Sequence, residues 1–501
     1  MSNKKSLTIN SIFNVFYKIV SVLYPLIAVT YASHVLEAEK IGTISYAQNI
    51  VTWFVMFASL GIPLYGMREI AKATTDKEKR NKVFYELFII NCVSNTMFIV
   101  AYVLLVSFVP KFYNQLPLYL ICGFEIVLNY LNVDWFYQGI EEYKYISIRS
   151  TIIKILSLIS LFIFVRSKND YVVYSLIHCL ALGGNYLFNI FHLRKFVNKP
   201  TQKLSFTNHI KPILFLFLST AAVEAYTMID TLIIGFYLDD AFVGYYTNAI
   251  KLARLVVTIC LSVGAVLTPR LSSIFSNKNY EEANRLITLA IKICLMFAIP
   301  AAAGLFIMAE PVVLLFFGES FIGAIHPLKI LSTMVPFIVL NGILGLQVLV
   351  ASGKEKFYVI SVSCGAVLNL VLNFAFIPLY GINAAAFTSL ASEIVVFVMY
   401  IIFTRRIINV SITVRYVLST LIPIAAFVVV YVFLLSKIDV PLLAFVIICV
   451  FLCVLIYFAI GLIMKNEAMI TCLQKAKILI KKVTKKSDAQ ASQNDDTQGS
   501  F

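Results

Sequence analysis

The segment VPLLAFVIICVFLCVLIYFAIGLI, residues 440–463, runs for 24 residues without a single charged side chain. About 20 consecutive apolar residues are enough for one helix to cross the hydrocarbon core of a bilayer. Buried strands of soluble domains, by contrast, have apolar runs of only about 4–8 residues. The segment therefore predicts a transmembrane helix, and similar segments recur along the rest of the chain.

Apolar residues make up 60% of the 501 residues and charged residues only 13%, and the mean hydropathy is +0.88. We therefore predict an all-α polytopic membrane protein with about 14 transmembrane helices, the first of which is retained and not cleaved as a signal peptide. The predicted spans are residues 8–31, 41–62, 83–109, 117–139, 146–165, 171–191, 212–236, 242–268, 286–309, 327–351, 358–377, 383–403, 416–435 and 440–463.

The distribution of Lys and Arg predicts the topology. If the N-terminus is cytoplasmic, the inner segments hold 30 of the 41 basic residues and the outer loops hold five. This asymmetry follows the positive-inside rule and predicts that both termini are cytoplasmic. Most of the net charge of +15 is therefore explained by topology, and we expect no nucleic-acid partner.

The loops between the predicted spans are short, and none contains an inserted soluble domain. A membrane-surface enzyme usually needs such a domain, so we expect a transporter or scaffold and not an enzyme. Eight of the nine cysteines fall inside predicted spans, away from clusters of His or carboxylates. We interpret them as small apolar packing residues and expect neither a metal site nor a cofactor.

An internal repeat appears at an offset of 202 residues. Gly42–Ala47 aligns with Gly244–Ala249, and Arg68 aligns with Arg270. A parallel repeat of six spans each is typical of transporters built from two halves. We therefore predict four parts: lobes at 1–203 and 204–410, two further transmembrane helices at 411–464, and a basic amphipathic segment with a disordered tail at 465–501.

Six basic residues lie within predicted spans and need a separate explanation, because a cation at the membrane centre costs roughly 2.5–3.5 kcal/mol. Lys18, Lys251 and Arg254 lie deepest. We predict that they line a watery cavity and bind an anionic cargo. The alternative is that they form structural ion pairs, for which the candidate partners are Glu125, Glu224 and Asp230.

The other basic residues in spans are weaker candidates for cargo binding. Lys154 and Lys292 lie only about 10 Å from the inner surface by helix rise, so their side chains could instead reach the interface. Lys329 lies at the outer end of its predicted span, so we expect its side chain to reach the membrane interface and not to bind cargo. Asn14 and Thr247 share helix faces with the deepest cations and are also weaker candidates. Glu393 is an acid in the middle of a predicted span, and it is either a proton site or a packing residue.

Three stretches carry a family resemblance: VTYASHVLEAEKIGTISYAQNI with LGIPLYGMREIAK in 29–72, DWFYQGIEEYKYISI at 134–148, and MIDTLIIGFYLDDAFVGYYTNAIKL with LTPRLSSIF in 228–275. They resemble the Wzx-type polysaccharide flippases, which share a superfamily with the MATE drug exporters and the lipid II flippase. The resemblance covers residues 8–463.

This resemblance implies two six-helix lobes plus two C-terminal helices around a V-shaped central cavity, in a bacterial cytoplasmic membrane. It also implies a cargo of undecaprenyl-pyrophosphate-linked oligosaccharide, moved from the cytoplasmic to the outer leaflet. Our hypothesis for the mechanism is alternating access, with H⁺ or Na⁺ as the coupling ion. Lys18 matches the basic position of the family's first helix. Membrane lipid and other polysaccharide-assembly proteins are further expected partners.

Three alternatives stay open at this stage. A cation-coupled multidrug exporter would use exposed carboxylates, and Glu125, Glu224, Asp230 and Glu393 are available for that role. A lipid II flippase would use the same fold. A membrane-embedded glycosyl transferase or polymerase would need a large external loop, which the sequence lacks.

Overall fold

The computed structural model describes residues 2–265, 268–410, 413–433 and 440–474. Within these ranges, nothing is described of the side chains of residues 2–19, 22, 219, 222, 223, 225, 226, 263–265, 268 and 269. Helices dominate the described ranges, which contain no β-strand. The predicted all-α class is therefore confirmed.

The α-helices, numbered in chain order, are α1 Ser2–Ser59, α2 Ile62–Lys72, α3 Lys77–Phe108, α4 Pro110–Tyr113, α5 Leu116–Leu128, α6 Asp134–Gly139, α7 Tyr143–Phe164, α8 Tyr171–Gly183, α9 Asn189–Leu193, α10 Thr207–Tyr237, α11 Asp240–Ala265, α12 Thr268–Ser276, α13 Tyr280–Ile307, α14 Ala309–Phe317, α15 Ile325–Gly342, α16 Glu355–Thr404, α17 Val414–Phe433 and α18 Leu442–Ile463. Short 3₁₀ segments include Gly184–Phe188 between α8 and α9, and a π-helical segment, Ile343–Val350, continues α15.

The two longest helices each contain a sharp break. Glu37 has φ 62° inside α1, and Gly381 has φ 66° inside α16. A backbone in the left-handed region cannot continue a right-handed helix. Each break lies between two predicted spans, so α1 and α16 each comprise two helical segments joined by a tight turn.

Within the described residues, nine helical segments are long and apolar enough to cross a membrane. Two shorter apolar helices, Leu116–Leu131 and Thr227–Tyr237, add to them. Two of the nine, Leu23–Lys72 and Glu355–Thr404, are 50 residues long and include the breaks described above. The chain is therefore a multi-pass membrane protein, while the count of 14 helices stays a prediction.

The chain forms two compact units, each discontinuous in sequence. The first unit comprises Met1–Lys251, Val313–Pro327 and Val362–Ser392, and the second comprises Leu252–Val312, Leu328–Ser361 and Glu393–Phe501. The lobes predicted at 1–203 and 204–410, and the cavity between them, stay predictions.

An aromatic cluster in the first unit joins α2, α3 and α6. Phe84, Trp135 and Phe136 are buried in it, and the Phe84 and Trp135 rings stack with centroids 5.7 Å apart. Trp135 packs against Gly66 of α2. Two of the sequence stretches that carry the family resemblance therefore pack on one another.

In the second unit, the chain becomes helical again at residues 467–474 after α18. The rest of the predicted basic tail and the predicted disordered end lie outside the described residues.

Candidate functional site

Lys251 lies on α11, 11 residues after the helix begins at Asp240. This distance is about 17 Å of helix rise, which is near the middle of a hydrocarbon core about 30 Å thick. The Lys251 side chain is exposed. Thr247, one turn earlier, is instead buried, and its Oγ1 donates to the Gly244 carbonyl at 3.4 Å. Thr247 is thus a packing residue in this structure, while Lys251 is accessible.

The first half of α11 is fixed to α1 within the first unit. Asn248 is fully buried, and its Nδ2 donates to Ser33 Oγ at 3.0 Å. Thr43 Oγ1 donates to Asp240 Oδ2 at 2.6 Å. These contacts orient the first half of α11, and with it the face that carries Lys251.

Arg254 follows Lys251 by three residues, so the two cations share a helix face, and Arg254 is also exposed. Lys18 and Asn14 lie in α1, but their side chains are outside the described residues. The predicted cavity lined by Lys18, Lys251 and Arg254 together therefore stays a prediction.

A polar pair lies near Lys251 in the first unit. Gln48 Nε2 and His178 Nδ1 are 2.8 Å apart and join α1 to α8. The sequence did not predict that His178 meets Gln48, because hydropathy does not specify which helices are neighbours.

The weaker cationic candidates have protein partners. In the first unit, Lys154 Nζ donates to Ser21 Oγ at 2.8 Å and joins α7 to α1. In the second unit, Lys292 is buried, and its Nζ donates to Glu467 Oε2 at 2.6 Å. The Lys292 hydrogen bond lowers the pKa of Glu467 below its ordinary value. Both lysines thus have a structural role that competes with cargo binding.

Asp230 lies at the centre of a buried polar network in the first unit. Its Oδ2 accepts hydrogen bonds from Tyr246 OH and Ser389 Oγ, both at 2.5 Å. Its Oδ1 accepts from Asn373 Nδ2 at 2.6 Å. Asn369 accepts from Asn373 at 3.0 Å. All of these residues are buried, so the network is closed to bulk water.

No Lys, Arg or His forms an ion pair with Asp230 among the described residues. A buried carboxylate is costly unless it is protonated or compensated by a cation. Carboxylate, amide and hydroxyl oxygens are also the ligands that hard cations prefer. The network can therefore hold a proton or a small cation.

The sequence singled out Asp230 but missed its partners on α16. Asn369 and Asn373 are four residues apart in an apolar helix, which places both amides on one face. That spacing is the available signal, but it does not by itself identify a site, because Asn in a span more often packs helices together.

The remaining acidic candidates differ in environment. Glu393, in the second unit, is buried and accepts from Asn341 Nδ2 at 2.6 Å. Glu125 on α5 is half-buried, near the thiols of Cys122 and Cys179. Glu224 on α10 is exposed. Neither Glu125 nor Glu224 forms an ion pair with Lys251 within the described residues.

A sequence model of the family described as polysaccharide biosynthesis protein matches residues 7–275. A second family model, described as MatE, matches residues 216–375. The first model includes Lys251, Arg254 and Asp230, and the second also includes Asn369 and Asn373.

Two curated relatives match over most of their length. The putative O-antigen transporter of Shigella dysenteriae is 25% identical over 381 residues, which cover 75% of this chain and 94% of that protein. The putative O-antigen transporter of Escherichia coli K12 is 25% identical over 413 residues, which cover 81% of this chain and 98% of that protein.

Among solved structures, the lipid II flippase MurJ in an inward closed conformation superposes with a TM-score of 0.69. The match covers 92% of this chain and 99% of that one, at 17% sequence identity. A likeness at this identity concerns the fold alone.

Proposed function

This chain belongs to the polysaccharide biosynthesis protein family, and from that premise we propose that it flips an undecaprenyl-pyrophosphate-linked oligosaccharide from the cytoplasmic to the outer leaflet of a bacterial cytoplasmic membrane. Both curated relatives named above are putative O-antigen transporters, which supports a lipid-linked glycan as the class of cargo. Proteins that assemble the polysaccharide outside the membrane are the partners that this function would require.

The observation that carries the proposal is the exposed Lys251 residue at mid-depth in an apolar chain. A diphosphate that crosses a membrane loses much of its hydration, and fixed cations offset that loss. Arg254 lies on the same helix face and adds a second charge. Lys18, on the basic position of the first helix, is the third proposed ligand.

The Asp230 network supplies a candidate for ion coupling. In the proposed cycle, a proton or Na⁺ binds at Asp230 and changes the relative stability of two conformations. A ligand shifts such an equilibrium only by its difference in affinity for the two states. A carboxylate that binds the ion in one state and is closed off in the other provides that difference.

A multidrug exporter is the second candidate, because the MatE family model spans the Asp230 network. This function uses acids to attract cationic drugs and has no need for the cation at position 251. The two candidates therefore differ in their dependence on Lys251.

The test is complementation of a strain that lacks its own flippase, with surface glycan as the readout. We expect Lys251→Ala to reduce export at least tenfold without lowering the protein level, and Lys251→Arg to restore much of it because the charge is kept. Lys329→Ala is the matched control, since it removes a half-buried lysine from the N-terminal part of α15.

Unchanged export in Lys18→Ala, Lys251→Ala and Arg254→Ala alike would contradict cationic cargo binding. Resistance to cationic drugs that depends on Asp230 and not on Lys251 would favour the exporter instead.

A further inference from the structure

A groove of about 710 Å³ lies in the first unit, on the outer side of α7. Its wall on α7 is formed by Ile148, Ile152 and Leu156, and Phe188 and Phe191 face them from the other side. All five are exposed, Phe191 to 70%. The groove is therefore an open apolar depression on the surface of α7, a helix that is long and apolar enough to cross a membrane.

One end of the groove carries charge. Lys144 and Lys195 line it and are exposed, and Glu142 is the acid that lines the same end. Arg194, beside Lys195, is also exposed. The charged end is net positive, and the predicted topology places it at the cytoplasmic surface.

Tyr145 holds the charged end of the groove in a fixed shape. Its hydroxyl donates to the Phe188 carbonyl at 2.9 Å. Its ring stacks on His192 with centroids 3.8 Å apart. The two walls are therefore joined to each other by direct contacts at this end.

Arg149 also lines the charged end of the groove. It is buried, and its guanidinium donates to Asp134 Oδ1 at 2.8 Å and Oδ2 at 3.0 Å, and also to Asn189 Oδ1. Arg149 Nε and His192 Nε2 have no hydrogen-bond partner among the described residues. Arg149 Nε–H is thus a recessed donor that an acceptor-rich group would stabilise, and His192 Nε2 adds a second one when it carries the ring proton.

We propose that this groove binds an anionic phospholipid of the cytoplasmic leaflet. The headgroup phosphate lies between Lys144 and Lys195, and one acyl chain lies along Ile148, Ile152 and Leu156. From Lys144 to Leu156 the helix rises about 18 Å, which is close to half of a hydrocarbon core about 30 Å thick. The length of the groove therefore suits a lipid of one leaflet.

Charge decides which lipid binds. Every membrane lipid offers an acyl chain, so the apolar wall alone does not discriminate between lipids. A lysine near an anionic lipid surface strengthens binding roughly fivefold. Two lysines favour an anionic headgroup over a zwitterionic one with the same chains, and Glu142 weakens this preference without reversing it.

The test is native mass spectrometry of the purified full-length protein, titrated with phosphatidylglycerol or with phosphatidylcholine of identical chains. We expect wild type to retain phosphatidylglycerol preferentially. Lys144→Gln with Lys195→Gln is expected to reduce that affinity by at least tenfold while leaving phosphatidylcholine binding unchanged. Lys354→Gln with Lys356→Gln is the matched control, since both lysines are exposed and belong to the second unit.

A second variant tests the apolar wall independently of charge. Ile152→Trp fills the groove and is expected to reduce retention of both lipids. Equal affinity of wild type for the two lipids would overturn the proposal. Full phosphatidylglycerol binding by the double lysine variant, or an equal loss in the control variant, would also overturn it. The proposal does not depend on the cargo, because lipid retention is measured without transport.

Discussion

Gly42 of α1 and Gly244 of α11 lie against each other's helix backbone in the first unit. A Cβ atom added to Gly42 would lie 2.9 Å from Gly244 N and would collide with the Asp240 carbonyl. A Cβ atom added to Gly244 would lie 3.2 Å from Gly42 N and would collide with the Ala38 carbonyl. Positions 38 and 240 differ by 202, as positions 42 and 244 do. The contact therefore follows the sequence repeat and supports a true duplication.

This contact predicts that Gly42→Ala and Gly244→Ala each destabilise the protein by about 3 kcal/mol, because overpacking moves backbone that cannot shift cheaply. Thermal unfolding in detergent measures the effect. Gly304→Ala is the control, since no atom lies within 4 Å of its added Cβ and Ala favours a helix by about 1 kcal/mol. A loss of stability in Gly304→Ala as large as in the other two would contradict the packing argument.

Asp230→Asn is expected to abolish the dependence of transport on an ion gradient, because the change removes the charge that a proton or Na⁺ neutralises. Vesicles that contain the purified protein, with a pH or Na⁺ gradient imposed, measure the effect. Glu393→Gln is the matched control, since this buried acid accepts from Asn341 but lies outside the Asp230 network. Gradient-dependent transport by Asp230→Asn at the wild-type rate would exclude Asp230 as the coupling site.

The Lys292–Glu467 pair predicts a pH dependence of stability. The Lys292 hydrogen bond holds the pKa of Glu467 below its ordinary value of 4.5. A carboxyl group whose pKa is lowered by folding contributes stability above its ordinary pKa and loses it as the pH falls through the folded value. We therefore expect Glu467→Gln to lower the unfolding temperature at pH 7, and the difference from wild type to shrink as the pH falls below 4.5, the ordinary pKa of the group.

Glu281→Gln is the control for that experiment. Glu281 is exposed and lines the same cavity as Lys292 and Glu467. A difference between Glu467→Gln and wild type that stays constant down to pH 3 would show that the pair contributes packing and not charge.

Arg149→Ala is expected to destabilise the protein by about 3 kcal/mol, because removing one partner of a buried ion pair leaves the other uncompensated. Arg149 is 6% exposed and pairs with Asp134. Arg194→Ala, on an exposed residue nearby, is expected to change stability by less than about 0.5 kcal/mol. Comparable unfolding temperatures of the two variants would show that the pair is not stabilising.

The candidate site was only partly predictable from sequence. Lys251, Arg254 and Asp230 stood out because charge is costly in an apolar span. The residues that surround them could not be predicted from the sequence. Lys292 is also a basic residue within a predicted span, and it pairs with Glu467, which lies 175 residues away along the chain.

The sequence by itself determined the class of the molecule, since apolar runs of membrane length require helices whose backbone groups are satisfied internally. It also indicated the repeat, because Gly42 and Gly244 occupy equivalent positions when the two halves of the sequence are aligned. Only the tertiary structure decided which polar groups form hydrogen bonds, such as Asp230 with Asn373 and His178 with Gln48. It also decided that Lys144 and Lys195 line the same end of a groove. Helical periodicity fixes which residues share a face of one helix, but it does not specify which other helix that face contacts.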